Sequence, residues 1–176
     1  MKKIMLFGLL LVALSFTSCE LTKDFVVTIE RTFDVNYAQT TYDKTEKIDG
    51  TEASSDFDKY ADDLKSVDIV KATYIVTSFT GSLTQKIVSA TVKVGPTDGS
   101  TATDLASMSN VVLSAVAAKE QTLTTNQSGE DKFQELLLKD PHQALVYFAG
   151  SANEAPLKFQ IKFKFECKVK YEKKLL

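Results

Sequence analysis

The chain predicts a mainly all-β fold, an antiparallel β-sandwich of immunoglobulin-like or related type carrying two short helices. Three observations predict it. Several segments alternate apolar and polar residues with period two, the mark of a half-buried strand. Only two stretches carry the apolar spacing of three and four that belongs to a helix. Strand and helix units do not alternate as they would in a parallel α/β sheet, and no internal repeat or low-complexity tract is present.

The chain opens "MKKIMLFGLLLVALSFTSC", with two lysines, an apolar run from Ile4 to Leu14, a small-residue patch and a cysteine. The apolar run is shorter than the roughly 20 residues a membrane-spanning helix needs, so residues 1–18 read as a secretory signal peptide outside the fold. Phe16, Thr17, Ser18 and Cys19 resemble the lipobox of bacterial lipoproteins, in a form similar to that of Bacteroidota. The resemblance implies cleavage before Cys19 by signal peptidase II, a lipid on that cysteine, and residence at the bacterial outer membrane, on its periplasmic side or at the cell surface. Glu20 and Asp24 faintly resemble the acidic export tag of surface lipoproteins in that group. Residues 19–24 then form a short tether and residues 25–174 a single domain.

Removing 18 of 176 residues leaves 158, enough for one core. It also removes Lys2 and Lys3, so the basic count falls from 21 to 19 against 23 acids and the net charge is −4, which argues against a nucleic-acid binder. With Cys19 lipidated, Cys167 is the one remaining cysteine, and an internal disulfide is excluded.

The first strand is "FVVTIERTFDV", with Phe25, Val27, Ile29, Phe33 and Val35 on the inward parity and Arg31 the misfit among them. The following polar stretch holds one weak strand, Tyr42 to Ile48. In "SSDFDKYADDLKS" Phe57, Tyr60, Ala61 and Leu64 take helical spacing behind Ser54 or Ser55 as N-cap, predicting a helix of two to three turns. The runs "VDIVKATYIVTSF" and "KIVSATVKV", joined by "TGSLTQ", read as a hairpin in which Val88, Ala90, Val92 and Val94 share a face. "GPTDGSTATD" is a loop. Residues 105–125 fit two short strands or a strand and a helical turn; strands are favoured. "SGEDKFQELLLKDP" predicts the second helix, capped by Ser128, with Phe133, Leu136 and Leu137 inward. "QALVYFAG" and "LKFQIKFKFECKVKYEK" then read as an antiparallel pair.

The last strand is the most regular. Leu157, Phe159, Ile161, Phe163, Phe165, Cys167, Val169 and Tyr171 share one face, and burial is worth roughly 1.5 to 3 kcal/mol for each large side chain. The strand is therefore a core element first, and Cys167 a small buried hydrophobe rather than a nucleophile. At about 3.3 Å per residue it runs about 50 Å, too long for a membrane-barrel strand of about 9 to 11 residues. Its other face carries Lys158, Lys162, Lys164, Lys168 and Lys170. Seven of the 21 basic residues lie between positions 158 and 174, and nine acids lie between Asp43 and Asp68. The lysines either keep an exposed sheet wet and discourage edge pairing or, near a membrane, meet anionic headgroups or phosphorylated sugars.

The chemistry-bearing inventory is thin. His142 stands alone at a helix-to-strand turn and reads as exposed. No HExxH, CxxC, GxSxG or phosphate-binding glycine loop occurs. Asp56, Asp58, Asp62 and Asp63 miss the calcium-loop spacing, so no metal and no cofactor is implied. Trp is absent, leaving Tyr37, Tyr42, Tyr60 and Tyr147 as the available sugar-stacking rings. The reading is a non-enzymatic, lipid-anchored binding or scaffolding protein, with the membrane and an envelope protein as partners. Two rivals stand beside it: a surface-fibre subunit exchanging its last strand, and a hydrolase built on Asp62, Asp63 and Asp68.

Overall fold

Alternating side chains become eight strands in a computed structural model that describes residues 21–173. Residues 1–18, read above as a signal peptide, Cys19 and Lys174 lie outside the described residues. The strands are β1 (Leu21–Tyr37), β2 (Thr41–Asp49), β3 (Leu64–Phe79), β4 (Lys86–Gly95), β5 (Thr103–Val112), β6 (Gln121–Thr122), β7 (Gln143–Ala152) and β8 (Leu157–Lys173). They form two four-stranded sheets, ordered β1-β8-β3-β6 and β2-β7-β4-β5, with every ladder antiparallel. That is an eight-stranded jelly roll, a relative of the immunoglobulin sandwich with a different strand order.

Two pairings differ from the sequence reading. β3 and β4 do not form a hairpin, nor do β7 and β8; each pair is split between the two sheets. Alternation is the same whether a chain folds back beside itself or arches over to the facing sheet, so periodicity could not separate the two. The two arches brace each other instead. Gln85, 2% exposed, donates through Nε2 to the carbonyls of Glu154 and Pro156, and the Glu154 carboxylate accepts from Ser82 and Thr84.

β1 begins four residues earlier than predicted. Leu21 pairs with Lys173, and all 17 residues of β1 run in register with β8, so residues 21–24 are strand and not tether. The inward face of β8 is buried as its alternation requires, from Leu157 to Tyr171. Phe33, Phe148 and Phe163 meet edge to face across the two sheets at centroid distances of 5.2–5.7 Å, a favoured aromatic geometry.

The predicted first helix is three short pieces: α1 (Gly50–Ala53), α2 (Ser55–Lys59) and a 3₁₀ turn over Ala61–Asp63. Ser54 caps α2 as expected and Phe57 is fully buried, but Leu64 already belongs to β3. Segment 105–125 combines β5, a helical turn α3 (Leu113–Val116) and the two-residue β6. The second predicted helix, α4, spans Gln127–Leu138. Its cap is Asn126, whose side chain accepts from Gly129 N at 2.9 Å, and not Ser128, which lies inside the helix. Gly129 lets α4 press onto β5, since a Cβ there would lie 2.4 Å from the Asp104 carbonyl oxygen.

Antiparallel alternation sends the loops to two ends. Residues 38–40, 80–85, 113–120 and 153–156 gather at one. Leu21, Lys173, α1, α2, loop 96–102 and the C-terminal end of α4 gather at the other, where Gly50 N donates to the His142 carbonyl.

Candidate functional site

β8 lies in the middle of its sheet, between β1 and β3, so its lysines form the central column of an outer face and guard no edge. The flanking strands supply carboxylates to that column. Lys168 pairs with Asp24 at 2.6 Å and Lys162 with Glu30 at 2.9 Å. Lys164 lies 3.4 Å from Glu166, which also faces Lys71, and Lys71 reaches on to Glu120. Lys170 stands opposite Asp24 in register and Lys158 opposite Asn36. The face therefore carries alternating charge, not a cationic field. Hydrogen bonding to Lys168 holds the Asp24 carboxyl below its usual range and raises the ammonium in return. β8 pairs with β1 along its whole length and with β3 from Phe159 to Tyr171 across three register shifts, so a strand exchanged at this position would break ladders on both sides.

At the β1–β2 edge a cleft of about 500 Å³ is lined by Glu30, Arg31, Asp49 and Glu52 among others. Arg31, the inward misfit, escapes the core here: its Nε donates to the Lys47 carbonyl and its guanidinium lies 3.8 Å from Glu52. Asp49 is 5% exposed. Its oxygens accept from Thr51 N, Thr51 Oγ1, Glu52 N and Gln143 Nε2. Desolvation opposes the charge, but these hydrogen bonds outweigh it and hold the carboxyl below its ordinary value. A carboxylate so fully engaged has a structural task, capping α1.

The remaining candidates are dispersed. Asp62 and Asp63 lie in the 3₁₀ turn, whereas Asp68, on β3, accepts from Ser66 and lines a notch of about 50 Å³ with Glu130 and Asp131. Among the described residues no group of three His, Cys, Asp or Glu side chains is placed to hold a metal ion, and no helix is long and apolar enough to cross a membrane. His142 is buried, not exposed. Its ring nitrogen Nδ1 lies 2.8 Å from the Leu137 carbonyl oxygen and its ring meets Phe57 edge to face, which pins α4 to α2. Cys167 is buried as expected, and desolvation pushes its thiol up to about 12.

The outer face of the second sheet is different in character. Reading across β2, β7, β4 and β5, the rungs are Thr41, Ser151, Ser89 and Ser109; then Asp43, Ala149, Thr91 and Ser107; then Thr45, Tyr147, Lys93 and Asp104. Lys93 pairs with Asp104 at 3.0 Å and Ser89 with Ser151 at 3.2 Å. Hydroxyls dominate this surface, and Tyr147 occupies its middle. The sequence named Tyr147 only as one ring among four; its central place needed the strand order.

No family of known proteins matches the chain, and no curated protein matches it. Among solved structures, a chain of Desmodium yellow mottle tymovirus is 10% identical, with 100% of this chain and 94% of that one covered at a TM-score of 0.40. A chain of turnip yellow mosaic virus is 11% identical, with coverages of 99% and 92% and a TM-score of 0.37. A Nora virus structure is 11% identical, with coverages of 100% and 65% and a TM-score of 0.38. Likenesses at this level say nothing of role or ligand.

Proposed function

We propose that this protein is a lipid-anchored component of the bacterial envelope, tethered through Cys19 to the outer membrane, where its β-sandwich binds or scaffolds a partner without catalysing a reaction. The observation that carries the reading is the start of β1 at Leu21. Leu21, two positions after Cys19, already belongs to the first strand, and two residues reach about 7 Å, so an anchor at Cys19 would hold the sandwich against the membrane. The loop end at 38–40, 80–85, 113–120 and 153–156 then points away from it. The dispersal of Asp62, Asp63 and Asp68 and the structural engagement of His142 and Asp49 support a binding role over hydrolysis.

The test is fractionation of cells expressing the wild type and Cys19→Ala, with protease added to intact cells beforehand. Membrane-bound wild type and released mutant support the anchor, and protease access then separates surface display from a periplasmic position. If both forms are soluble, Cys19 is not an anchor and the proposal fails.

A further inference from the structure

The structure holds six tyrosines, and five are committed elsewhere. Tyr42 and Tyr74 are buried in the core. Tyr60 stacks on Tyr171 at 3.9 Å between centroids. Tyr37 is capped by the Lys44 ammonium 5.3 Å above its ring and donates to the Asp43 carbonyl. Tyr147 alone makes no ring contact and no side-chain hydrogen bond among the described residues, and it is only half-buried.

We propose that the outer face of the β2-β7-β4-β5 sheet binds a neutral polysaccharide chain, with Tyr147 as its stacking platform. The inference names the ligand class for the binding role above and rests on that half of the reading, not on the anchor. The ring leans over Gly95 on β4, where a Cβ would lie 3.3 Å from Cε2. The rung on one side places Ala149 and Thr91 beside it, and the rung on the other places Leu145 and Gly95, so its neighbours along β4 and β7 are small except for Leu145. An aromatic face of this kind takes the C–H face of a pyranose, while sugar hydroxyls need donors and acceptors around it. Thr45 and Lys93 stand opposite Tyr147 in register, Asp104 pairs with Lys93, and Thr91 and Asp43 occupy the next rung.

Charge balance chooses among sugars. On this face Lys93 pairs with Asp104 and Lys47 with Asp49, leaving no surplus of cationic charge, which gives no preference to an acidic chain over an uncharged one. An outer face that runs across four strands fits an extended polymer, whereas a small molecule calls for a concave pocket.

The full chain, purified in neutral detergent, is run in native gels cast with starch, xyloglucan, galactomannan or dextran, with polygalacturonate as the anionic comparison. Retardation by at least one neutral polysaccharide is expected. Tyr147→Ala weakens it about three- to tenfold, the scale of one aromatic contact, while Tyr147→Phe keeps the ring and retains it. Tyr37→Ala leaves it unchanged. Thr45→Glu, on an exposed edge-strand position, weakens binding beside the ring and serves if Tyr147→Ala fails to fold by circular dichroism. No retardation in any neutral gel, retardation by polygalacturonate alone, or binding unaltered in both Tyr147→Ala and Thr45→Glu overturns the proposal. So does a dimer in gel filtration that Tyr147→Ala dissolves, which would give this face to a second copy. The gels do not read membrane anchoring, so a soluble wild type in fractionation would remove the anchor and leave retardation standing.

Discussion

Tyr42 shows what a single polar atom does in a core of this density. Its ring packs at 5.0 Å on Phe148 and 5.8 Å from Phe159, yet its hydroxyl is buried with no partner, and burial raises its pKa. Removing an unsatisfied hydroxyl recovers its desolvation cost, so Tyr42→Phe is expected to be neutral or stabilising by up to about 1 kcal/mol in urea unfolding. Gly150 sits against that hydroxyl, and a Cβ there would lie 2.5 Å from the Ser89 carbonyl oxygen, so Gly150→Ala is expected to cost about 1 to 3 kcal/mol by the same measurement. With its thiol at about 12, Cys167 in the Cys19→Ala chain is expected to resist iodoacetamide at pH 8 until the protein unfolds; mass spectrometry reads the adduct. The inward place of Cys167 was legible because alternation in β8 never breaks. Val88 was not: the ladder shifts between Ile87 and Ser89, Ile87 takes the inward position, and Val88 turns out 41% exposed. A bulge leaves no mark on periodicity when both residues are apolar. His142 escaped for a related reason, since its burial depends on α2 and α4 meeting, which no local pattern records.

Among the elements, those defined by local chemistry were read well and those defined by partners were not. β8, the Ser54 cap with the burial of Phe57, and the core residues of α4 follow from spacing and capping, whereas the length of the first helix did not. The cap of α4 was misplaced by two residues because Asn126 and Ser128 are both good caps, and contact with β5 through Gly129 fixes where the helix starts. Asn126→Ala is therefore expected to destabilise by about 1 kcal/mol and Ser128→Ala by clearly less, compared by thermal melting. The hairpins failed because β4 and β5 are the only sequence neighbours among the eight strands that share a sheet. Side-chain alternation specifies which face is wet, and it is silent on which strand lies alongside. For the same reason the Tyr147 surface, assembled from β2, β7, β4 and β5, had no signature along the chain.

Over the whole molecule, charge that is segregated along the chain becomes mixed in space. The lysines of β8 fall between β1 and β3, where Asp24 and Glu30 meet Lys168 and Lys162 directly, Glu166 joins Lys164 to Lys71, and Glu120 pairs with Lys71 in turn. Asp24, Glu120 and Asp49 titrate lower than usual, and Lys139 and Lys132 take Glu135 down to about 2. Each of these carboxyls binds protons more weakly folded than unfolded. Their contribution is complete above the unfolded values near 4 and is lost as pH falls through the folded ones. The urea midpoint is expected to hold between pH 7 and 5 and to drop below about pH 4, more gently in high salt, because most of these pairs are exposed. A midpoint that rises on acidification would contradict this. The shared end of Leu21 and Lys173 also sets how the domain bears force. Pulling both termini apart peels β1 from β8 one rung at a time, so each hydrogen bond takes the load alone. Pulling between the chain start and the opposite loops shears the β1–β8 ladder lengthwise, and its rungs resist together. A sandwich held at its start and loaded through its far end is thus strained along its strongest axis, and in a force spectrometer it should yield at higher force in that geometry than between its termini.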